Sequence, residues 1–367
     1  MQNKHTIYFS TYDDIKNPHY GGGGAIAVHQ VAKRLTKNYD VRVLSWDYCG
    51  KKKETIDGVQ YERFGFSSLP PKVAMFFYQI ALPFIAQRKS FTVWLESFCP
   101  PFTTSFFPLF CNKPVVGVVH MLAAEDMERK YKLPFHIIQN TGLKLYKHII
   151  VTTDVLKLQM QKISPKTSFT VISNGIPQIF APIQKKEKFI LFLGRIEVDQ
   201  KGIDLLFEAF SKFHSQHKDY KLILAGSGTK LEEEKMQNLL KEAKFKNAVE
   251  LIGKVEGAKK EKLLREAACI VIPSRFETFS LVALEAMAHG TPIVCFAIKG
   301  LSWIPNNAAK KVKTFDIHAL ARVVEETIFD KSFMQEQIIH ANAFVKHFTW
   351  DEIAKQYKKY LENICHS

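Results

Sequence analysis

Short runs of β-branched and aromatic residues alternate with stretches of helical periodicity along nearly all of this 367-residue chain. That alternation constrains the fold more than any other feature. Strand-like runs fall at residues 6–10, 41–46, 59–64, 91–95, 115–120, 148–152 and 169–173. They recur at 189–195, 221–225, 249–253, 269–273 and 292–296. Helical patterns lie between several of them, at 25–36, 154–162, 203–214, 230–243, 259–267 and 281–289. Strands separated by crossover helices pair in parallel, and a parallel sheet needs helices on both of its faces. The expected class is α/β, with doubly wound parallel sheets.

The pattern breaks once. Pro177, Pro182 and the run Gln184-Lys185-Lys186-Glu187-Lys188 read as a polar linker, and the strand pattern restarts at Phe189. A single hydrophobic core rarely grows past about 250–300 residues, so a chain of this length is comfortable as two domains. The boundaries expected are 1–176 for an N-terminal domain, 177–188 for the linker and 189–345 for a C-terminal domain. Residues 346–367 carry a last helix, near 351–363, expected to pack back across the hinge. Ligands of open parallel sheets bind beyond the carboxyl ends of the strands, so two such domains facing each other would enclose a cleft.

Composition excludes several classes. With 46% hydrophobic and 24% charged residues the chain is globular rather than disordered. Cys49, Cys99, Cys111, Cys269, Cys295 and Cys365 are scattered without a C-x-x-C pair. Zinc and redox motifs are therefore unsupported, and buried thiols in a reducing, cytoplasmic compartment are the plain reading. The start, MQNKHTIYFS, runs straight into a strand with no signal-peptide pattern. The longest apolar run, 73–86, is interrupted by Gln79 and Pro83. It falls short of the ~20 residues a membrane span needs.

Net charge is +15, of which +10 lies in residues 1–180 and +5 in residues 181–367. A chain this basic calls for an anionic partner: nucleic acid, phospholipid headgroups or a phosphorylated substrate. No helix-turn-helix, zinc-finger or RNP signature supports nucleic acid. The aromatic-rich stretch 70–110, whose apolar run is flanked by Lys72, Arg88 and Lys89, reads in two ways. It is either an interfacial segment at an anionic membrane or a buried core helix followed by a core strand.

Three segments of the second half carry chemistry. The first is Gly194-Arg195 with Lys201-Gly202. Two cations at the carboxyl edge of a sheet suit a diphosphate, although singly each also reads as a solvated surface charge. The second is Gly226-Ser227-Gly228, which permits close backbone approach after a strand. The third runs from Pro273-Ser274 through Glu277-Thr278-Phe279-Ser280-Leu281 to Glu285. The N–H groups of residues 278–280 would sit at a helix mouth, where an anion is welcome. Glu285 lies among Val282, Ala283, Leu284, Ala286 and Met287, and a glutamate in so apolar a helix asks for a reason.

Taken together, residues 169–297 resemble the donor-binding half of the family 4 retaining glycosyltransferases, which have the two-domain GT-B fold. The matching residues are Ser173-Asn174-Gly175-Ile176, Gly194-Arg195, Lys201-Gly202, Gly226-Ser227-Gly228, Ile252-Gly253-Lys254-Val255, Pro273-Ser274 and the Glu277/Glu285 pair. The resemblance implies GT-B architecture, two Rossmann-like domains facing across a cleft, and transfer of a hexose-type sugar from a UDP- or GDP-linked donor. The acceptor would be a glycan or a lipid-linked molecule, in bacterial cell-surface polysaccharide or glycolipid synthesis. It also implies roles: Arg195 and Lys201 on the diphosphate, Glu277 on hydroxyls of the transferred sugar and Glu285 on the ribose. Gly253, Lys254 and Val255 would border the base, while Thr278, Phe279, Ser280 and Leu281 would offer backbone donors. The family usually has glycine where this chain has Ser280.

The first half resembles the family less closely. Gly21 to Gly24, with Gly23 and Gly24 nearest the helix, match the glycine-rich acceptor-side loop, and His120 stands where the family often has a histidine near the donor sugar. The family frequently follows that histidine with aspartate; here Met121 follows. No D-x-D motif stands in the expected position, so no metal or other cofactor is expected. The enzyme is read as cytoplasmic, peripheral at the inner face of the membrane. The alternatives are a GT-B epimerase or hydrolase acting on a sugar nucleotide, and a basic nucleic-acid-binding protein.

Overall fold

The computed structural model describes residues 4–17, 23–120, 122, 124–177 and 185–365, the side chains of Asp126 and Arg129 excepted. Gly21, Gly22, Met121 and residues 178–184 of the expected linker lie outside these. The chain divides into two compact units: Met1–Gly175 together with Trp350–Ser367, and Ile176–Thr349.

The first unit contains β1 (Thr6–Ser10), α1 (Gly23–Leu35), β2 (Asp40–Trp46), β3 (Lys53–Ile56), β4 (Val59–Phe64), α2 (Pro71–Gln87), β5 (Val93–Ser97), β6 (Val115–Val119), α3 (Ala124–Tyr131), α4 (Phe135–Leu143), β7 (His148–Val151), α5 (Asp154–Ile163) and β8 (Ser168–Val171). The strands form one sheet in the order β3-β4-β2-β1-β5-β6-β7-β8. Every pairing is parallel except β3 with β4. Period-two alternation explains the two-sided burial. Ile7, Phe9, Val41, Val43, Val93 and Leu95 enter one core. Tyr8, Leu44, Trp46, Trp94 and Ile149 enter the other. With both faces covered, the strands read as continuous apolar runs.

The second unit contains β9 (Glu187–Leu193), α6 (Ile203–Gln216), β10 (Lys221–Ala225), α7 (Lys230–Glu242), β11 (Val249–Gly253), α8 (Gly257–Glu266), β12 (Ala267–Ile272), α9 (Leu281–Ala288), β13 (Ile293–Phe296), β14 (Lys310–Val312), α10 (Ile317–Phe329) and α11 (Lys331–Val345). Its sheet, β11-β10-β9-β12-β13-β14, is parallel throughout. Leu191, Ile223 and Ile270 face one core, and Ile190, Leu222, Cys269 and Val271 face the other. Side-chain caps fix several helix starts. Thr229 accepts from Glu232 N at α7, Asp316 from Ala319 N at α10 and Asp330 from Phe333 N at α11.

Several boundaries differ from the sequence reading. Glu187 and Lys188, read as linker, open β9. The strand expected at 91–95 sits two residues later, because Phe91 turns into the core before pairing with β1 begins. A last helix, α12 (Trp350–Cys365), packs on the first sheet. It buries Trp350, Ile353, Tyr357, Leu361 and Ile364 beside Val28, Val31 and Leu35 of α1. That stripe follows the spacing of an amphipathic helix, and Arg34 pins its start through Asp351 at 2.7 Å.

Candidate active site

In the second unit the carboxyl ends of three strands are laced by backbone hydrogen bonds. Gly194 N donates to Ala225 O at 3.0 Å, Gly226 N to Gly253 O at 2.8 Å and Ile196 N to Ser227 O at 2.9 Å. The approach is so close that a Cβ on Gly226 would stand 1.7 Å from Gly194 O. Only glycine fits there. Gly226 and Gly253 line a cavity of about 140 Å3 with Ile196, Glu233, Gln237 and Leu251. Beyond β11, Val255 is buried in the core, while Lys254 stays exposed and pairs with Glu256 at 2.8 Å.

The next loops bring together residues 76 positions apart. Lys201 Nζ donates to Glu277 Oε1 at 2.7 Å, and Ser274 Oγ donates to the same oxygen at 2.9 Å. The Lys201 and Glu277 side chains are only 16% and 12% exposed. The two loops are clasped independently: Arg275 N donates to Gln200 O at 2.9 Å, and the Arg275 guanidinium holds both Asp204 oxygens at 2.7 and 2.6 Å. Gly300 seats the backbone of Glu277, since a Cβ there would lie 1.7 Å from Glu277 O. Arg195 leaves the end of β9 with its side chain 66% exposed, and its neighbour is Glu197 at 3.7 Å. The structure therefore joins Lys201 to Glu277, while Arg195 reaches outward.

Ser280 is the residue before α9, and Leu281 begins the helix. Among the described residues, the N–H groups of Thr278, Phe279, Ser280 and Leu281 meet no acceptor. This is the condition of a helix mouth that can receive an anion. The mouth is stiffened by Trp303, which stacks on Phe279 at 4.5 Å and donates Nε1–H to Phe279 O at 2.7 Å. One turn into the helix, Glu285 finds its reason. Lys260 of α8 donates to it at 2.8 Å, and both side chains remain partly exposed.

Ser280 has φ +68° and ψ +87°. A non-glycine residue there carries strain of about 1–3 kcal/mol. This is the physical reason for a glycine at the position. Ser280→Gly should therefore raise the midpoint of thermal unfolding by a few degrees, as seen by calorimetry. A fall in the midpoint would show that the serine hydroxyl contributes more than its backbone costs.

In the first unit, His120 follows β6, Asn174 follows β8, and Gly23 and Gly24 open α1. All three places lie at the carboxyl edge of the sheet. A Cβ on Gly24 would stand 3.7 Å from His120 Cδ2, so α1 begins against the imidazole. Burial pushes the His120 pKa down to about 4, opposed by the neighbouring Asn174 side chain. The ring is thus uncharged at neutral pH, and among the described residues neither nitrogen completes a well-formed hydrogen bond. A half-buried, neutral imidazole whose ring nitrogens are shielded, set at a strand end, is ready to meet a ligand hydroxyl. Among the described residues, no three of His, Cys, Asp or Glu are grouped to hold a metal ion.

Four contributors were not legible in sequence: Lys260, Gly300, Trp303 and the Ser274 bond to Glu277. Lys260 lies 25 positions from Glu285 and Trp303 lies 24 from Phe279, with no local pattern joining either pair.

Two α/β sheets of this kind are the architecture of GT-B glycosyltransferases, and solved structures similar to this chain share it. Sucrose-phosphate synthase from Thermosynechococcus elongatus superposes with a TM-score of 0.82 at 18% identity, covering 99% of this chain and 100% of that one. Anabaena HepE, solved in complex with UDP-glucose, gives 0.76 at 15% identity over 98% and 100%. In sequence, an uncharacterized glycosyltransferase of Methanocaldococcus jannaschii is 28% identical over 376 residues, spanning 92% of this chain and 94% of that protein. Granule-bound starch synthase 1 of Pisum sativum is 29% identical over 199 residues, but the match spans only 32% of that longer protein. Residues 178–344 match the profile "Glycosyl transferases group 1", and residues 21–178 match "Glycosyltransferase Family 4". The chain belongs to this family of glycosyltransferases.

Proposed function

We propose that the protein moves a hexose-type sugar from a UDP- or GDP-linked donor to a glycan or lipid-linked acceptor, with retention of anomeric configuration. The observation that carries this is the Lys201–Glu277–Ser274 cluster beside the open N–H groups before α9. One cation, Lys201, and a row of backbone donors stand where a diphosphate would sit, and a carboxylate stands ready for sugar hydroxyls. HepE, a neighbour in fold, was solved with UDP-glucose, which supports a nucleotide-sugar donor.

In this reading Lys201, Arg195 and the N–H groups of residues 278–281 meet the charge that grows on the departing diphosphate. Groups aimed at developing charge stabilise the transition state without reorganising. The acceptor oxygen attacks the anomeric carbon from the face the diphosphate leaves. The bond from that carbon to the phosphate oxygen breaks, and the leaving phosphate takes the acceptor proton. Glu277 orients the sugar through its hydroxyls and Glu285 holds the ribose. Uncharged His120 contributes a hydrogen bond to the sugar, and Asn174 orients the imidazole. Gly23 and Gly24 allow close approach on the acceptor side. Gly194, Gly226, Gly253, Lys254 and Val255 border the nucleotide. Synthesis of a bacterial cell-surface polysaccharide or glycolipid fits such an acceptor.

The test is thermal shift against UDP, GDP and their sugar conjugates in EDTA, followed by assay of transfer. A ligand at 100 times its Kd stabilises by about 2.7 kcal/mol. One nucleotide series should shift the midpoint, and transfer should persist in EDTA because the cationic clamp does the neutralising. Loss of transfer restored by magnesium or manganese would overturn the metal-free step. Release of free nucleoside diphosphate without a glycosylated product would point instead to a hydrolase or epimerase.

A further inference from the structure

The helix α2 has two apolar faces, and the first sheet takes only one of them. Ala74, Tyr78, Leu82 and Ala86 are buried against it. Val73, Phe76, Phe77, Ile80 and Phe84 point away and are exposed. Leu109 and Phe110 continue the exposed surface, so that its members on these two segments are 40% to 63% accessible. Ring contacts extend the surface at both ends of the helix. Phe84 meets Phe110 at 5.3 Å, Phe76 meets Phe102 at 5.7 Å, and Phe102 meets Phe135 at 6.3 Å. The band then reaches Tyr131, whose ring carries Lys72 Nζ at 5.6 Å. A soluble monomer rarely leaves so contiguous an apolar surface uncovered without a partner for it.

We infer that this band docks on an anionic lipid bilayer, with α2 lying in the plane of the interface. Charge chooses the occupant. Lys72 and Arg88 stand exposed at the two ends of α2, and Lys113 is exposed near Phe110. Along α2 and on to residue 124 the one acidic residue is Glu96, which is buried and accepts from Tyr146 and Ser105. At the Tyr131 end, α3 and the residue after it carry Glu125, Asp126 and Glu128 alongside Arg129, Lys130 and Lys132, so that end is neutral and the net positive charge lies along α2. An apolar strip with cations at the two ends of α2 fits acyl chains beneath anionic headgroups. A second copy of the chain fits it poorly, because a two-fold pairing would set cation against cation. Among the described residues no helix is long and apolar enough to cross a membrane, so the contact is peripheral. The inference rests on the proposed function in one respect: a lipid-linked acceptor would be met at this surface.

The experiment is co-sedimentation of the full chain with phosphatidylcholine vesicles, with or without phosphatidylglycerol, at low and high salt. Most of the protein should pellet with the anionic vesicles at low salt. The bound fraction should fall at least tenfold with neutral vesicles or at high salt. Phe77→Asp with Phe84→Asp, and separately Lys72→Glu with Arg88→Glu, should each weaken binding at least tenfold. These side chains are exposed, so the thermal shift given by UDP or GDP should be unchanged, which separates failure here from failure of the donor site. Equal recovery in the supernatant under all conditions overturns the inference. So does equal binding to neutral and anionic vesicles. A dimer in light scattering that the aspartate substitutions dissolve would also overturn it, in favour of self-association.

Discussion

Replacing Lys201 by alanine is expected to lower kcat/KM by about 10²–10³-fold, the range seen when one preorganised group facing developing charge is removed. The expectation rests on geometry. Lys201 is held by its helix entry and by Glu277 at 2.7 Å, with little solvent around either side chain. A lysine on an open surface would be replaced by water at small cost. This one leaves Glu277 with Ser274 as its remaining partner. The variant should therefore also lose stability, by about 1–3 kcal/mol for a charged group left unpaired in a partly buried place. Lys201→Ala with Glu277→Gln should regain part of that stability but none of the activity. Denaturant unfolding and initial rates are the two measurements. Wild-type kcat/KM with unchanged affinity for nucleoside diphosphate would remove Lys201 from the site.

The two glutamates should then separate. Glu285→Gln is expected to weaken binding of the free nucleoside diphosphate about 10–100-fold, since a lost hydrogen bond to a charged group costs about 1.5–3 kcal/mol. Glu277→Gln should leave that affinity within about twofold and lower turnover of the sugar donor by a similar 10–100-fold. Lys260 complicates the first comparison, because Glu285→Gln also releases its ammonium. Lys260→Met tests this directly. If the carboxylate itself holds the ribose, the lysine variant should bind nucleotide more tightly than Glu285→Gln does. Calorimetric titration decides the matter, and identical affinities in the two glutamate variants would dissolve the division of roles.

Much of the architecture was legible because the central strands are buried on both faces. Such strands appear as unbroken apolar runs, and β6 and β12 are plain examples. Of the four edge strands, β8 and β11 were legible and β3 and β14 were not. β3 reads Lys53-Glu54-Thr55-Ile56 and takes its shape from antiparallel pairing with β4, not from its own hydrophobicity. β14 is three residues long, two of them lysines, and exists because β13 offers it an edge. The sidedness of α2 was hidden for the opposite reason: apolar residues encircle it, so periodicity marks no buried face. Within the site, motif glycines and carboxylates stood out because each belongs to a short ordered pattern. Their partners did not, since Lys260 meets Glu285, and Trp303 meets Phe279, only after the sheet has set α8, α9 and residues 299–303 side by side.

The return of α12 to the first sheet has a consequence for how the chain is made. Five of its large side chains belong to the core that α1 and the first sheet begin. Each contributes about 1.5–3 kcal/mol on burial. On the ribosome, the residues that found that core emerge before the second unit and those that close it emerge after it. The whole of the second unit is synthesised in the interval. The earlier unit must wait, its apolar groove open, while the later one has every residue it needs to fold. In chain order the sixteen residues of α12 come after the second unit, yet they are the keystone of the first core begun.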